Sequence, residues 1–248
     1  MAEGLIDNMN PKSPRKHSGK HGGGDAPEHQ TFSSAPTILG NRKPVIMISS
    51  TVYGIEELLE QIFGILNGAG FTVWMSHKGT VPVDPAKSNF ENCLDAVENC
   101  DLFLGILTTR YGTGKDDETG GLSIAHREIR GALKRNIPRW FLAHHDLIFA
   151  RSLIRDLGYR TADQRAKLKL TGGKLIGDLR VIDVYEEVIQ AEKKLRDRRG
   201  NWAQPFATPP DANIFVVAQF LRYAEAIDIV KQQPLSALQT CAKGGMKP

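Results

Sequence analysis

The chain has 248 residues, 41% of them hydrophobic and 24% charged, enough apolar material for one compact domain with appendages. Its formal net charge of +4 is too small to argue for nucleic-acid binding, and there is no run of about 18 apolar residues to span a membrane. Cys93, Cys100 and Cys241 are odd in number and lack metal-ligand spacing, which predicts a reduced, cytoplasmic protein with incidental thiols and neither disulfide nor metal site.

Residues 1–43 are rich in Gly, Ser, Pro, Lys and His and are predicted to be a mainly disordered tail, because they cannot offset the entropy of ordering. The segment has no apolar core of the kind a secretory signal needs, so no such signal is expected. The irregular spacing of His17, His21 and His29 makes a poor metal site. Order is expected from Pro44. Val45 to Ile48 reads as a short buried strand, followed by Ser49, Ser50 and Thr51, and Ile55, Leu58, Leu59, Ile62, Phe63 and Leu66 recur at helical spacing over 53–67. Three hydroxyls between a strand and a helix suit an anion or a ribose; an ordinary helix cap accounts for one of them. Gly68 and Gly70 end the helix, Phe71 to Met75 is the next strand, 76–87 is a loop, and Ser88 or Asn89 starts a helix through Phe90, Leu94 and Val97.

The most informative stretch runs from Asp101 to Leu142. Leu102 to Leu107 has the length and continuous apolar character of a strand buried on both faces. The polar loop 108–121 carries Thr109, Arg110, Tyr111, Gly112 and the acidic residues Asp116, Asp117 and Glu118. Ser123 can cap the helix in which Ala125, Ile129, Ala132 and Leu133 recur, and Pro138 stops it before a strand from Trp140 to Ala143. At about 100° per residue, Glu128 falls at the border of that helix's apolar stripe. Two readings follow from this position: a carboxylate facing a pocket, or one that pairs with Arg127, Arg130 or Lys134 on a solvated face.

Beyond residue 144 the pattern predicts a helix over 146–157, an irregular basic segment over 160–180, and a long helix over 181–199 with Val184, Val188 and Leu195 inward. A brief extended piece follows over 201–206, with Trp202 as a packing anchor, and then a helix over 213–230 with Ile214, Val217, Phe220, Leu221 and Ala224 facing the sheet. Residues 151–180 carry eight basic residues, including Arg151, Arg155, Arg165 and Arg180, and read first as a solvated face and second as a phosphate-binding one. The expected organisation is a tail over 1–43, an α/β domain over 44–145, a helical extension over 146–233 packed on it, and a frayed tail over 234–248.

Strand and helix alternate, so the fold class expected is α/β, a flavodoxin-like parallel sheet with helices on both faces and a C-terminal helical extension. In the strand order 2-1-3-4 the first and third strands are neighbours and their outgoing helices lie on opposite faces, which opens a crevice at their carboxyl ends. Ser49, Ser50 and Thr51 from one loop and Thr108, Thr109, Arg110, Tyr111 and Gly112 from the other would meet there, beside the helix that bears Glu128.

Taken together, Ile48-Ser49-Ser50-Thr51, Arg110-Tyr111-Gly112 and Ser123-Ile124-Ala125-His126-Arg127-Glu128 resemble a bacterial domain-of-unknown-function family over about residues 44–145. That family is similar in fold to Toll/interleukin-receptor (TIR) domains and to nucleoside 2-deoxyribosyltransferases, and its members often head larger signalling or defence proteins. The resemblance implies a TIR-like domain that binds a nucleotide and acts as an N-glycosidase on NAD or a nucleotide, which enters as substrate with no resident cofactor. By the same resemblance Asp101, Gly112 and Glu128 match the strand-opening Asp, the loop Gly and the helix Glu of the deoxyribosyltransferase-like relatives, and Glu128 would attack or stabilise the sugar carbon as the base leaves. Ser49 or Ser50 would hold a phosphate or ribose hydroxyl, Arg110 a phosphate, and Tyr111 a base. Partners would be the nucleotide and, through self-association or a signalling protein, an assembly. The competing readings are a non-catalytic sensing or assembly module and, more remotely, a nucleic-acid-binding protein.

Overall fold

The computed structural model describes residues 42–232, apart from 113, 115–120, 136 and 172, with side chains to residue 225. The expectations for the two tails and for the acidic residues 116–118 fall outside the described residues, except that Arg42 and Lys43 are described. Five strands form one parallel sheet: β1 Val45–Ser50, β2 Thr72–Trp74, β3 Leu102–Leu107, β4 Arg139–His144 and β5 Ala203–Phe206. Their order is β2-β1-β3-β4-β5, a flavodoxin-like arrangement. The helices are α1 Glu56–Gly68, α2 Asn89–Asn99, α3 Ile124–Arg135, α4 His145–Asp156, α5 Ala162–Ala166, α6 Arg180–Val188 and α7 Pro209–Gln232.

Successive strand residues point to opposite faces, so each strand feeds two cores. Ile46, Ile48, Leu104 and Leu142 pack with α1 and α7 on one face, while Met47, Phe103, Phe141 and Ala143 pack with α2, α3, α4 and α6 on the other. Gly105 lies directly opposite Phe141 in the β3–β4 ladder, and a Cβ there would approach the Phe141 ring to 2.6 Å. Gly105→Ala should therefore destabilise the fold by about 1–3 kcal/mol through overpacking, read as a lower urea midpoint at unchanged m-value. A loss below about 0.5 kcal/mol would mean that the ring moves aside freely.

The chain after residue 144 departs from the sequence reading in four places. The helix expected over 181–199 ends at Val188, because the apolar repeat stops there and Gln190 turns into the left-handed region at φ 52°. The side chain of Gln190 donates to the Arg199 carbonyl, which folds the following turns back toward the sheet, and Leu195 is 80% exposed instead of inward. The extended piece is a strand of the sheet: β5 pairs in parallel with β4, so the segment over 146–233 supplies sheet as well as helices. On α7 the buried stripe is Ala212, Val216 and Phe220, repeating every four residues, which leaves Ile214 70% exposed and Val217 and Leu221 on the outer side. Trp202 is 71% exposed and donates to Gln204, so the packing anchor expected there is supplied by Trp140, which packs on Phe220 and Tyr223.

The basic segment divides: Arg160, Lys167, Lys169 and Lys174 are exposed, and the other four basic residues meet carboxylates. Arg165 is buried and grips Asp183 and Glu186 of α6; Arg151 and Arg155 also pair with Glu186, and Arg180 pairs with Asp178. These four cations tie α4, α5 and the chain before α6 onto α6. No helix among the described residues is long and apolar enough to cross a membrane.

Candidate functional site

α1 leaves β1 toward one face of the sheet and α3 leaves β3 toward the other, and the two strands are adjacent. The backbone therefore parts at their carboxyl ends, the place where doubly wound sheets hold ligands. A cavity of about 720 Å³ opens there, lined from the β1–α1 turn, the β2–α2 connection, α2, the loop after β3 and the start of α3.

Glu128 forms part of its wall. The residue is 4% exposed, and Ser49 at the end of β1 donates its hydroxyl to Glu128 Oε2 at 2.5 Å. Burial raises the carboxyl pKa to about 7, although hydrogen bonds from Ser49 and from the Cys93 thiol pull the other way. The reading of Glu128 as a solvated ion-pair partner is thereby overturned. The helix is packed on two sides, so a residue at the border of its stripe is enclosed, and Arg130 instead engages Glu187.

This carboxyl has a consequence for stability. Because its folded pKa lies above its ordinary 4.5, the native state keeps a proton that the unfolded chain releases. The stability it contributes is present in full below pH 4.5, falls as pH rises to about 7, and is level above that. Urea unfolding from pH 4.5 to 8 should show wild type losing on the order of 3 kcal/mol relative to Glu128→Gln, which has no such proton to lose. Parallel curves for the two proteins would contradict a buried, proton-holding Glu128.

The loops above the cavity are fitted closely. Gly112 adopts φ 93°, and a Cβ on it would come within 2.9 Å of Thr51 Cγ2, so only Gly lets the two loops touch. The hydroxyls of Thr51 and Thr108 lie 3.1 Å apart, and Thr51 also donates to the Arg110 carbonyl. Below them Asn92, 5% exposed, clamps the β2–α2 connection. It donates to the carbonyls of Asp84, Lys87 and Ser88 and accepts from the Asp84 amide at 2.7 Å.

The structure brings together Ser49, Ser50, Thr51, Gly112 and Glu128 of the residues expected from sequence. It removes others. Asp101 lies at the amino end of β3, across the sheet from the cavity, where it accepts from Arg42 and from the Val45 amide; it ties down the start of β1. The Arg110 side chain is exposed, and neither it nor the half-buried Thr109 lines the cavity. Ser123 caps α3 by accepting from the His126 amide. Tyr111 points into the protein on the far side of α3, where its hydroxyl meets His126 Nδ1 at 2.8 Å and Arg180 covers its ring at 4.5 Å. His126 Nε2 continues to Glu187. Burial opposes ionisation of Glu187, but Arg130 and His126 together outweigh it and bring its pKa down to about 2. This buried chain of polar groups joins α3 to α6 and is structural.

Sequence reasoning missed Tyr53, Glu56, His77, Asn89, Asn92 and Cys93, all of which line the cavity. Asn92 and Cys93 sit one turn into an ordinary amphipathic helix, and Cys93 reads as an incidental thiol because nothing in its spacing reveals that α2 faces Glu128. The Cys93 thiol is held protonated, burial and the neighbouring carboxyl pushing its pKa up to about 12. Among the described residues no group of His, Cys, Asp or Glu is placed to hold a metal ion.

A family model described as "Domain of unknown function (DUF4062)" matches residues 45–199, which spans the sheet from β1 to the turn before β5. No curated protein matches the chain.

Proposed function

The chain belongs to the DUF4062 family, and from that premise we propose that the cavity at the carboxyl ends of β1 and β3 binds a nucleotide or nucleoside and cleaves its N-glycosidic bond, with Glu128 as the catalytic carboxylate. The observation that carries this reading is Glu128 itself: a buried carboxyl on a cavity wall, oriented by Ser49, with a pKa of about 7. Evolving positive charge on a sugar carbon is stabilised by a nearby carboxylate, most strongly where water is excluded. Such a group near neutrality is divided between its charged and protonated forms, which suits it to both nucleophilic and proton-transfer roles.

The resemblance of the motifs around Ser49, Gly112 and Glu128 to TIR-like and deoxyribosyltransferase-like domains supports the same chemistry, in a signalling or defence setting. Asp101 and Tyr111 lie away from the cavity and Arg110 is not in its wall, so base recognition would fall to other residues. The test is incubation of the full chain with NAD, NADP, nucleosides and deoxynucleosides, alone and under crowding, with released base measured by mass spectrometry. Release from any of them, lost in Glu128→Gln, supports the reading. Binding without release would make the module a sensor, and neither would remove the proposal.

A further inference from the structure

The mouth of the cavity carries two apolar side chains that the fold does not use. Tyr53, on the turn between β1 and α1, is 67% exposed, and Val83, on the connection from β2 to α2, is 68% exposed. Both line the same cavity from different loops. A single exposed apolar residue needs no explanation, but an aromatic ring and a branched aliphatic presented to one opening form a surface that a flat, apolar-faced ligand can cover.

Both are held where they are. The loop after Val83 is fastened by the buried Asn92 through Asp84, Lys87 and Ser88, and the residues ahead of it by Thr80, which accepts from the Met75 amide at 2.9 Å. Tyr53 precedes Gly54, whose φ of 87° makes the sharp turn and whose amide donates to Glu56 at 2.9 Å. The fold sets the backbone around both positions without a ligand, so binding has only side-chain rotamers left to order.

Polar groups share the wall with Tyr53 and Val83. Ser50 and Thr51 offer hydroxyls and Glu128 a carboxylate from the inner part of the cavity, and the exposed Asn89 and Glu56 add an amide and a second carboxylate on its open side. Carboxylates accept from sugar hydroxyls and oppose a pyrophosphate through like charge.

Resting on the reading of the cavity given above, we infer that its ligand is a nucleoside without a polyphosphate, its base stacked on Tyr53 against Val83 at the mouth and its sugar directed inward to Glu128. Tyr53 thereby takes the base-stacking role, and the depth of the cavity separates the part of the ligand that is recognised from the bond that is exposed to the carboxylate. Stacking on one aromatic face tolerates any base, so purine and pyrimidine nucleosides should both enter.

The test uses formycin, a fluorescent nucleoside whose base is joined to the sugar by a carbon–carbon bond that cannot be hydrolysed, so binding to the wild-type full chain is measured apart from turnover. Fluorescence anisotropy should show saturable binding of formycin, competition by other nucleosides and little competition by free ribose. Tyr53→Ala should weaken binding about tenfold or more, while Tyr53→Phe, which keeps the ring, should stay within about twofold. Formycin triphosphate should bind about tenfold more weakly than formycin at pH 8, where both carboxylates are charged. Unchanged affinity in Tyr53→Ala, ribose competing as well as a nucleoside, or tighter binding of the triphosphate would each overturn the inference, as would failure of formycin to bind. Base release is scored separately. Tyr53-dependent binding with no release from any substrate would leave this inference standing and defeat the catalytic role of Glu128. Release of base with Tyr53→Ala binding like wild type would do the reverse.

Discussion

Replacing Glu128 by Gln is expected to slow base release roughly a thousandfold or more, about 4 kcal/mol of transition-state stabilisation, while ligand affinity changes much less. The substitution keeps the shape of the side chain and leaves an oxygen to accept from Ser49, so the cavity wall stays in place. What it removes is the negative charge that a developing oxocarbenium-like centre requires. The interaction is stronger in the transition state than in the ground state, and the loss therefore falls on kcat rather than KM. Because the wild-type carboxyl titrates near 7, a nucleophilic Glu128 predicts that kcat rises with pH through that region as the carboxylate forms. Equal rates for the two proteins, or a loss confined to KM, would leave Glu128 as a binding residue only.

Arg165→Ala is expected to be the most damaging substitution outside the core, at about 3–5 kcal/mol of stability. The guanidinium is 2% exposed and is the centre of a charge cluster: its Nε reaches Asp183 at 2.7 Å, Nη2 reaches Glu186 at 2.8 Å, and Nη1 donates to the Arg160 carbonyl at 3.1 Å. Burial raises the Asp183 pKa, and the contacts with Arg165 pull it back. Removing the cation would strand a half-buried carboxylate beside a second one. Glu186 retains Arg151 and Arg155, but among the described residues Asp183 has no second cation within hydrogen-bond reach, so the cost concentrates there. Arg165→Lys should recover only part of the loss, since an ammonium cannot reproduce the fork that engages two carboxylates and a carbonyl together. Urea unfolding of the three proteins reads this directly; a cost for Arg165→Ala below about 1 kcal/mol would place the cluster with ordinary surface pairs.

How far the sequence carries can be judged at particular residues. The strands and helices from Val45 to Ala143 are legible because burial on both faces of a parallel sheet demands short continuous apolar runs, and amphipathic helices repeat at helical spacing. Ser88 shows the same at finer grain: its side chain accepts from the Glu91 amide while Glu91 reaches back, the local exchange its spacing announces. Alternation predicts the parallel sheet, and the flavodoxin-like order then sets β1 beside β3 and brings Ser49 to Glu128, 79 residues apart.

Side-chain direction within loops is not written in any repeat. Arg110 and Tyr111 are adjacent in one loop, yet one is exposed and the other is buried against His126. Asp101 lies on the right strand at the wrong end, because a residue that opens a parallel strand is some five residues, or about 17 Å at 3.3 Å per residue, from its carboxyl edge. Cys93 and Asn92 became part of the cavity only when α2 docked beside α3, and Arg165 found its carboxylates only when α6 brought Asp183 and Glu186 to it. By itself the sequence determined the elements, their layers and a carboxylate at the border of the third helix's stripe, since these depend on a periodicity that every residue of an element repeats. Only the tertiary structure decided which charges are neutralised and which side chains reach the cavity, since each of those depends on a partner distant in the chain whose approach no local pattern records.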